Sequence, residues 1–182
     1  LHSGQKIRIT LHPAPANHGI VFRRVDHAKQ PLTPARYDHV IDTRLSTNVG
    51  DIDAGIRIGT IEHLMAALAG HRIDNVLIDI DADEVPVMDG SSAPFTFLID
   101  CAGIEEQNAP RMVVEVLKTV EVEHGCCTAK IEPGAGFSID FEIDFASKAI
   151  ANQRLEVAFD DGVFSASIAR ARTFGFLHEV EA

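Results

Sequence analysis

The stretch Gly59-Thr-Ile-Glu-His-Leu-Met-Ala-Ala-Leu-Ala-Gly70 carries the first decision about the fold. Ile61, Leu64, Met65 and Leu68 recur at i, i+3, i+4 and i+7, so they share one face of a helix. Thr60 stands where an N-cap hydroxyl accepts a free backbone N–H, and Gly70 where a left-handed residue stops a helix. Glu62 and His63 fall outside the apolar stripe, about 100° apart around the axis, because a turn takes about 3.6 residues. A carboxylate beside a neutral imidazole can serve a metal-dependent hydrolase, the imidazole holding the ion and the acid taking a proton from water. The same pair has a plain alternative use, since an acid in the first turn favours the positive end of a helix.

Outward from this helix the pattern alternates between strand and helix. Ile7, Ile9 and Leu11 make Lys6 to Leu11 a half-buried strand, and Ile20 to Val25 returns after the Pro13-to-Gly19 break. Val40 to Val49 reads as one further strand and Val76 to Ile80 as a buried one. Ser92 caps a second helix with Pro94 in its first turn, Phe95, Leu98, Ile99 and Ala102 on its core face, and Gly103 at its end. These elements make residues 1–107 an α+β domain, a two-layer sandwich. Residues 108–182 start a second domain of similar topology. Its strands run over Met112–Glu123, Thr128–Glu132, Phe137–Phe145 and Leu155–Phe159. Asp160 or Asp161 then caps a helix reaching Ala171, with Val163, Phe164 and Ile168 inward. This second domain is incomplete, so its apolar face calls for a missing C-terminal segment or another chain.

The bulk properties narrow the function. The chain has 182 residues and a net charge of −11, with no basic patch, which excludes nucleic acid as a main partner. No apolar run reaches the ~20 residues of a membrane span. Cys101, Cys126 and Cys127 are a poor disulfide framework and contain no CxxC, which fits a reducing cytoplasm. The first residue is Leu1, which is read as a start inside a longer reading frame.

Three segments in order are far more specific than any one of them: Ile58–Gly70, Val85-Pro-Val-Met-Asp-Gly-Ser-Ser-Ala-Pro-Phe95, and Ala169-Arg-Ala-Arg-Thr-Phe-Gly-Phe176, with Leu1-His-Ser-Gly4 as a fourth. Together they resemble the zinc-dependent UDP-3-O-acyl-N-acetylglucosamine deacetylase family of lipid A synthesis in Gram-negative bacteria. The resemblance implies two α+β domains facing each other across an active site, with Zn2+ as cofactor and UDP-3-O-acyl-N-acetylglucosamine as substrate. It makes His63 a zinc ligand, Glu62 the general base, and Thr173 the donor to the oxyanion. It sets Phe174 against the sugar and Leu45 and Ser46 along the site, and gives His2 and Asp89 supporting roles. It also implies two further zinc ligands on a His-Lys-x-x-Asp helix, and no such motif occurs in these residues. The implied reaction is hydrolysis of the acetamide with release of acetate. A non-catalytic domain binding a nucleotide sugar or a protein partner is the competing expectation.

Overall fold

A computed structural model describes residues 4–160 and 162–176. The chain divides into two compact units, Leu1–Ala109 with Ser165–Ala182, and Pro110–Phe164. His2 and Asp161 lie outside the described residues.

In the first unit, four strands form one sheet: β1 (Ile9–Pro13), β2 (Ile20–Arg24), β3 (Leu32–Pro34) and β7 (Val76–Ile80), in the order β1-β7-β2-β3. β7 runs antiparallel to β1 and parallel to β2, with Phe22 opposite Ile78 and Ile9 opposite Ile80. Alternation sends Phe22, Val76, Ile78 and Ile80 into the core. On the opposite face Asp79 accepts Arg23 Nε at 2.6 Å, and His12 Nε2 lies 2.8 Å from its other oxygen. Three shorter strands, β4 (Val40–Asp42), β5 (Asn48–Asp51) and β6 (Ile56–Ile58), make a second antiparallel sheet.

Helices α1 (Glu62–Gly70) and α2 (Ala93–Ala102) pack on one another, and their buried side chains join the core. Ile61, Leu64 and Leu68 are buried as the periodicity requires, with Ala67 completing the stripe and Met65 at its margin. On α2, Phe95, Thr96 and Ile99 face inward, whereas Leu98 and Ala102 are exposed. The result is an α+β fold, as the element pattern predicts.

Several local expectations need correction. Thr60 does not cap α1; the cap position is Ile61, without a side-chain bond, and the Thr60 hydroxyl donates instead to Glu84 Oε1 at 3.1 Å. Gly70 stays helical, and the left-handed residue after α1 is Arg72 (φ 55°). Val40 to Val49 is not one strand, because the backbone turns left-handed at Leu45 (φ 60°) and β5 returns antiparallel to β4. Ser92 holds the cap position of α2 without a side-chain bond, while Ser91 Oγ accepts the Ala93 N–H at 3.2 Å. Gly103 does end α2 with φ 82°.

The second unit consists of two hairpins. β8 (Val120–His124) pairs with β9 (Cys127–Ile131), and β10 (Ser138–Asp144) with β11 (Asn152–Ala158). Residues 112–119 are not strand, and a single π-helical turn, Phe164–Ile168, replaces the expected longer helix. Val120, Val122, Ile131, Phe141 and Leu155 are all exposed. Two-stranded ribbons cannot bury both faces, and a lone hairpin is marginally stable.

Candidate active site

Glu62 and His63 open α1, half-buried, at the margin of the core. Glu62 Oε2 accepts the Thr47 backbone N–H at 3.0 Å, and the Ile61 N–H donates to the Thr47 carbonyl at 3.3 Å. One residue of the β4–β5 loop thus grips the helix start from both sides. This fixes the carboxylate and leaves its other oxygen without a hydrogen bond among the described residues. A fixed, half-dry carboxylate is in a position to accept a proton.

The loop that supplies Thr47 is itself built around Asn48. This side chain is fully buried, and its amide donates to the Ser46 carbonyl at 3.1 Å and the Asp42 carbonyl at 3.3 Å. Its oxygen accepts Arg57 Nε at 3.1 Å and Nη2 at 2.9 Å. Every hydrogen-bonding capacity of the amide is used, as burial demands. Leu45 and Ser46 then line an open cleft of about 560 Å³ together with Asp42, Arg44 and Arg57. Leu45 is exposed and Ser46 buried, so the two present an apolar rim and a polar wall.

Thr173 and Phe174 are held by a different contact. The Thr173 N–H donates to the Gly90 carbonyl at 3.0 Å, and Arg172 Nη2 donates to Asp89 Oδ2 at 3.1 Å. Asp89 Oδ1 accepts the Ser91 N–H at 3.1 Å and the Ser91 hydroxyl at 2.7 Å. These bonds, Ser91 first and Arg172 next, hold the Asp89 carboxyl below the usual carboxylate range. Gly90 has φ 82°, which a residue without Cβ adopts freely and which lets the turn close over Asp89. Phe174 is half exposed and meets the edge of Phe176 with ring centroids 5.8 Å apart.

The two neighbourhoods share one piece of backbone. Gly59 N–H donates to the Asp83 carbonyl at 2.8 Å, and Val85 N–H to the Gly59 carbonyl at 2.9 Å. The segment that buttresses the start of α1 therefore runs on within five residues to the turn that holds Thr173. Glu62 meets the loop of Leu45 and Ser46 at Thr47, whereas Thr173 is held at Gly90 and its neighbour Arg172 at Asp89. Sequence reading singled out no role for Thr47, Asn48, Arg57, Glu84 or Arg172. Arg172 stands inside a quoted motif, but the other four act through partners that local pattern does not reveal.

Among the described residues no three His, Cys, Asp or Glu side chains come together as a metal cluster. A catalytic zinc takes three protein ligands and a water, so the donor set described here falls short of holding that ion unaided.

An α+β protein with an acid–imidazole pair at a helix start and a threonine clamped by a buttressing turn is the class these observations define. The profile of the family described as UDP-3-O-acyl N-acetylglycosamine deacetylase matches residues 1–182, and the chain belongs to that family. Its relatives include UDP-3-O-acyl-N-acetylglucosamine deacetylases of Acidithiobacillus ferrooxidans, 52% identical, and Myxococcus xanthus, 48% identical. Both alignments cover 100% of this chain but 60% and 57% of the relative. The chain thus spans about three-fifths of the length of the curated relatives it matches.

Proposed function

We propose that this chain supplies the base and the oxyanion donor of a zinc-dependent enzyme that hydrolyses the acetamide of UDP-3-O-acyl-N-acetylglucosamine and releases acetate, in the cytoplasm, for lipid A synthesis. The observation that carries the reading is the tether of Glu62 Oε2 to the Thr47 N–H, which presents the remaining carboxylate oxygen of a family-motif acid. In this reading Glu62 accepts the proton of the attacking water at that free oxygen. The Thr173 hydroxyl donates to the oxyanion as the carbonyl becomes tetrahedral, and one such donor is typically worth about 2.7–4 kcal/mol. Asp89 and Arg172 position Thr173 through the backbone. Phe174 lies against the sugar, and Leu45 and Ser46 line the passage of substrate beside Arg44 and Arg57. His63 is the one zinc ligand this chain contributes.

The test uses the polypeptide expressed from its own reading frame, with native mass spectrometry and an acetate-release assay on UDP-3-O-acyl-N-acetylglucosamine. One bound zinc, acetate release, and loss of that release in Glu62→Gln with an unchanged far-UV spectrum support the proposal. A metal-free protein that binds the nucleotide sugar without releasing acetate overturns it in favour of a non-catalytic binding domain.

A further inference from the structure

Arg57 stands on β6 between the buried Ile56 and Ile58, so alternation sends its side chain outward. Across the ladder its partner is Gly50, which has no side chain to cover it. Asn48 Oδ1 accepts Arg57 Nε at 3.1 Å and Nη2 at 2.9 Å, and that amide is itself fully buried. The backbone is held as well, because buried Arg24 donates Nη1 to the Arg57 carbonyl at 2.8 Å. A guanidinium carries five N–H donors in a planar fork. The bonds to Asn48 use its side edge and leave the end edge, one N–H from each terminal nitrogen, without a partner among the described residues. Arg57 lines the cleft of about 560 Å³ described above. Its charge is as open as that edge. Arg23, Arg24, Arg36 and Arg172 each face a carboxylate, whereas the anchor of Arg57 is a neutral amide. Asp42, the carboxylate among the lining residues, turns instead to Arg44, whose Nε and Nη2 lie 3.3 Å and 3.4 Å from its oxygens. Arg44 and Arg57 against Asp42 give the cleft a local surplus of positive charge on a chain of net charge −11.

We propose that the end edge of Arg57 binds a phosphate group in this cleft, with Arg44 as a second, mobile cation. One guanidinium edge donates two parallel N–H bonds to a phosphate. A carboxylate would spend both oxygens on that edge, whereas a phosphate keeps others for Arg44. Arg57 is pinned before the ligand arrives, so binding costs it little side-chain freedom. Arg44 is 89% exposed, and its long bonds to Asp42 can be exchanged for the anion. The exposed, left-handed Leu45 offers the organic part of such a ligand an apolar surface. The inference rests on the reading of this cleft as the substrate passage, and it names the residue there that takes phosphate. Two sources share the chemistry: the diphosphate of the proposed substrate and a separate phosphorylated metabolite.

Inorganic pyrophosphate is the probe, titrated into the full chain by isothermal calorimetry at low ionic strength. Turnover plays no part in this measurement, so a failure of the acetate-release reading and a failure of the phosphate site are seen separately. One saturable site per chain is expected, weakening as salt is raised. Arg57→Gln and Arg57→Lys should each weaken binding at least about tenfold, the lower end for hydrogen bonds to a charged group. Lysine fails because one ammonium cannot hold Asn48 and also present a fork. Arg44→Gln should weaken binding by a smaller factor while leaving the Asn48 anchor whole. Lys29→Gln removes the same charge outside the cleft and should bind as wild type does. Far-UV spectra check that each variant is folded. Displacement of pyrophosphate by UDP-3-O-acyl-N-acetylglucosamine identifies the substrate diphosphate as the natural occupant; simultaneous binding of the two identifies a separate metabolite. Absence of saturable binding in the wild-type chain overturns the proposal. So does wild-type affinity in Arg57→Lys or Arg44→Gln, or an equal loss in Lys29→Gln.

Discussion

Thr60 is a β-branched residue in a left-handed conformation (φ 54°), one residue before the N-cap of α1, and its hydroxyl reaches the buried Glu84. Two terms therefore oppose each other at this position. Left-handed backbone costs an L-residue about 1–2 kcal/mol, whereas leaving a buried hydrogen-bond partner unsatisfied costs about 1–3 kcal/mol. Thr60→Ala keeps the strain and removes the bond. Thr60→Gly removes both, but the freer unfolded chain takes back about 0.5–1 kcal/mol. Both variants should fall below wild type by about 1–3 kcal/mol, the loss expected when a buried hydrogen-bond partner is deleted. The glycine variant should nevertheless exceed the alanine variant by about 0.5–1 kcal/mol, from the same strain and entropy terms. With a urea slope of about 2 kcal/mol/M, that difference is a midpoint shift of roughly 0.4 M. Urea unfolding followed by far-UV circular dichroism measures it, with equal slopes as the check that only stability moved. An alanine variant as stable as the glycine variant refutes the strain; two variants as stable as wild type refute the Glu84 bond.

Two further outcomes follow from the same kind of reasoning. A Cβ on Gly50 would stand 2.1 Å from the Ile56 carbonyl oxygen, and one on Gly59 2.5 Å from the Oδ1 of a clamped Asn48. Gly50→Ala should therefore cost at least the ~1–3 kcal/mol of an overpacked core, and thermal unfolding should show it the less stable of the two because backbone cannot swing aside. Asp79 is held below the usual carboxylate range, chiefly by the Arg23 hydrogen bond and, after the opposing effect of burial, by His12. Its folded value lies below its unfolded one, so its stabilisation is complete above about pH 3.9 and is lost as pH falls through the folded value. Denaturant midpoints recorded down the acid limb should fall more steeply for wild type than for Asp79→Asn, and parallel curves would contradict the assignment.

How much of this was legible in the residues depends on the range of the forces. The core stripe of α1 is a local periodicity and β7 a local apolar run, and both are readable. The break at Leu45 was not, because no Gly, Pro or Asn marks it and the left-handed turn is held by Asn48 and its partners. Thr60 is ambiguous for a similar reason: a hydroxyl can cap locally or bond 24 residues away, and only the fold decides. The helix expected after Asp160 reduces to one π turn, Phe164–Ile168, in which Phe164 is buried. Around the candidate site, the motif marks Glu62 and Thr173, but the tether of one and the clamp of the other are tertiary facts.

The Arg172–Asp89 contact spans 83 positions of sequence. On a ribosome, the sheet, both helices and the Asp89 turn are all synthesised before Thr173 emerges. Closing so long a loop adds little entropy cost, since that cost grows only with the logarithm of length. Thr173 is thus a late arrival docking onto a receptor already made. The proposed base and the proposed oxyanion donor mature at different moments of biosynthesis, so a change anywhere in residues 110–164 could delay the second while leaving the first intact.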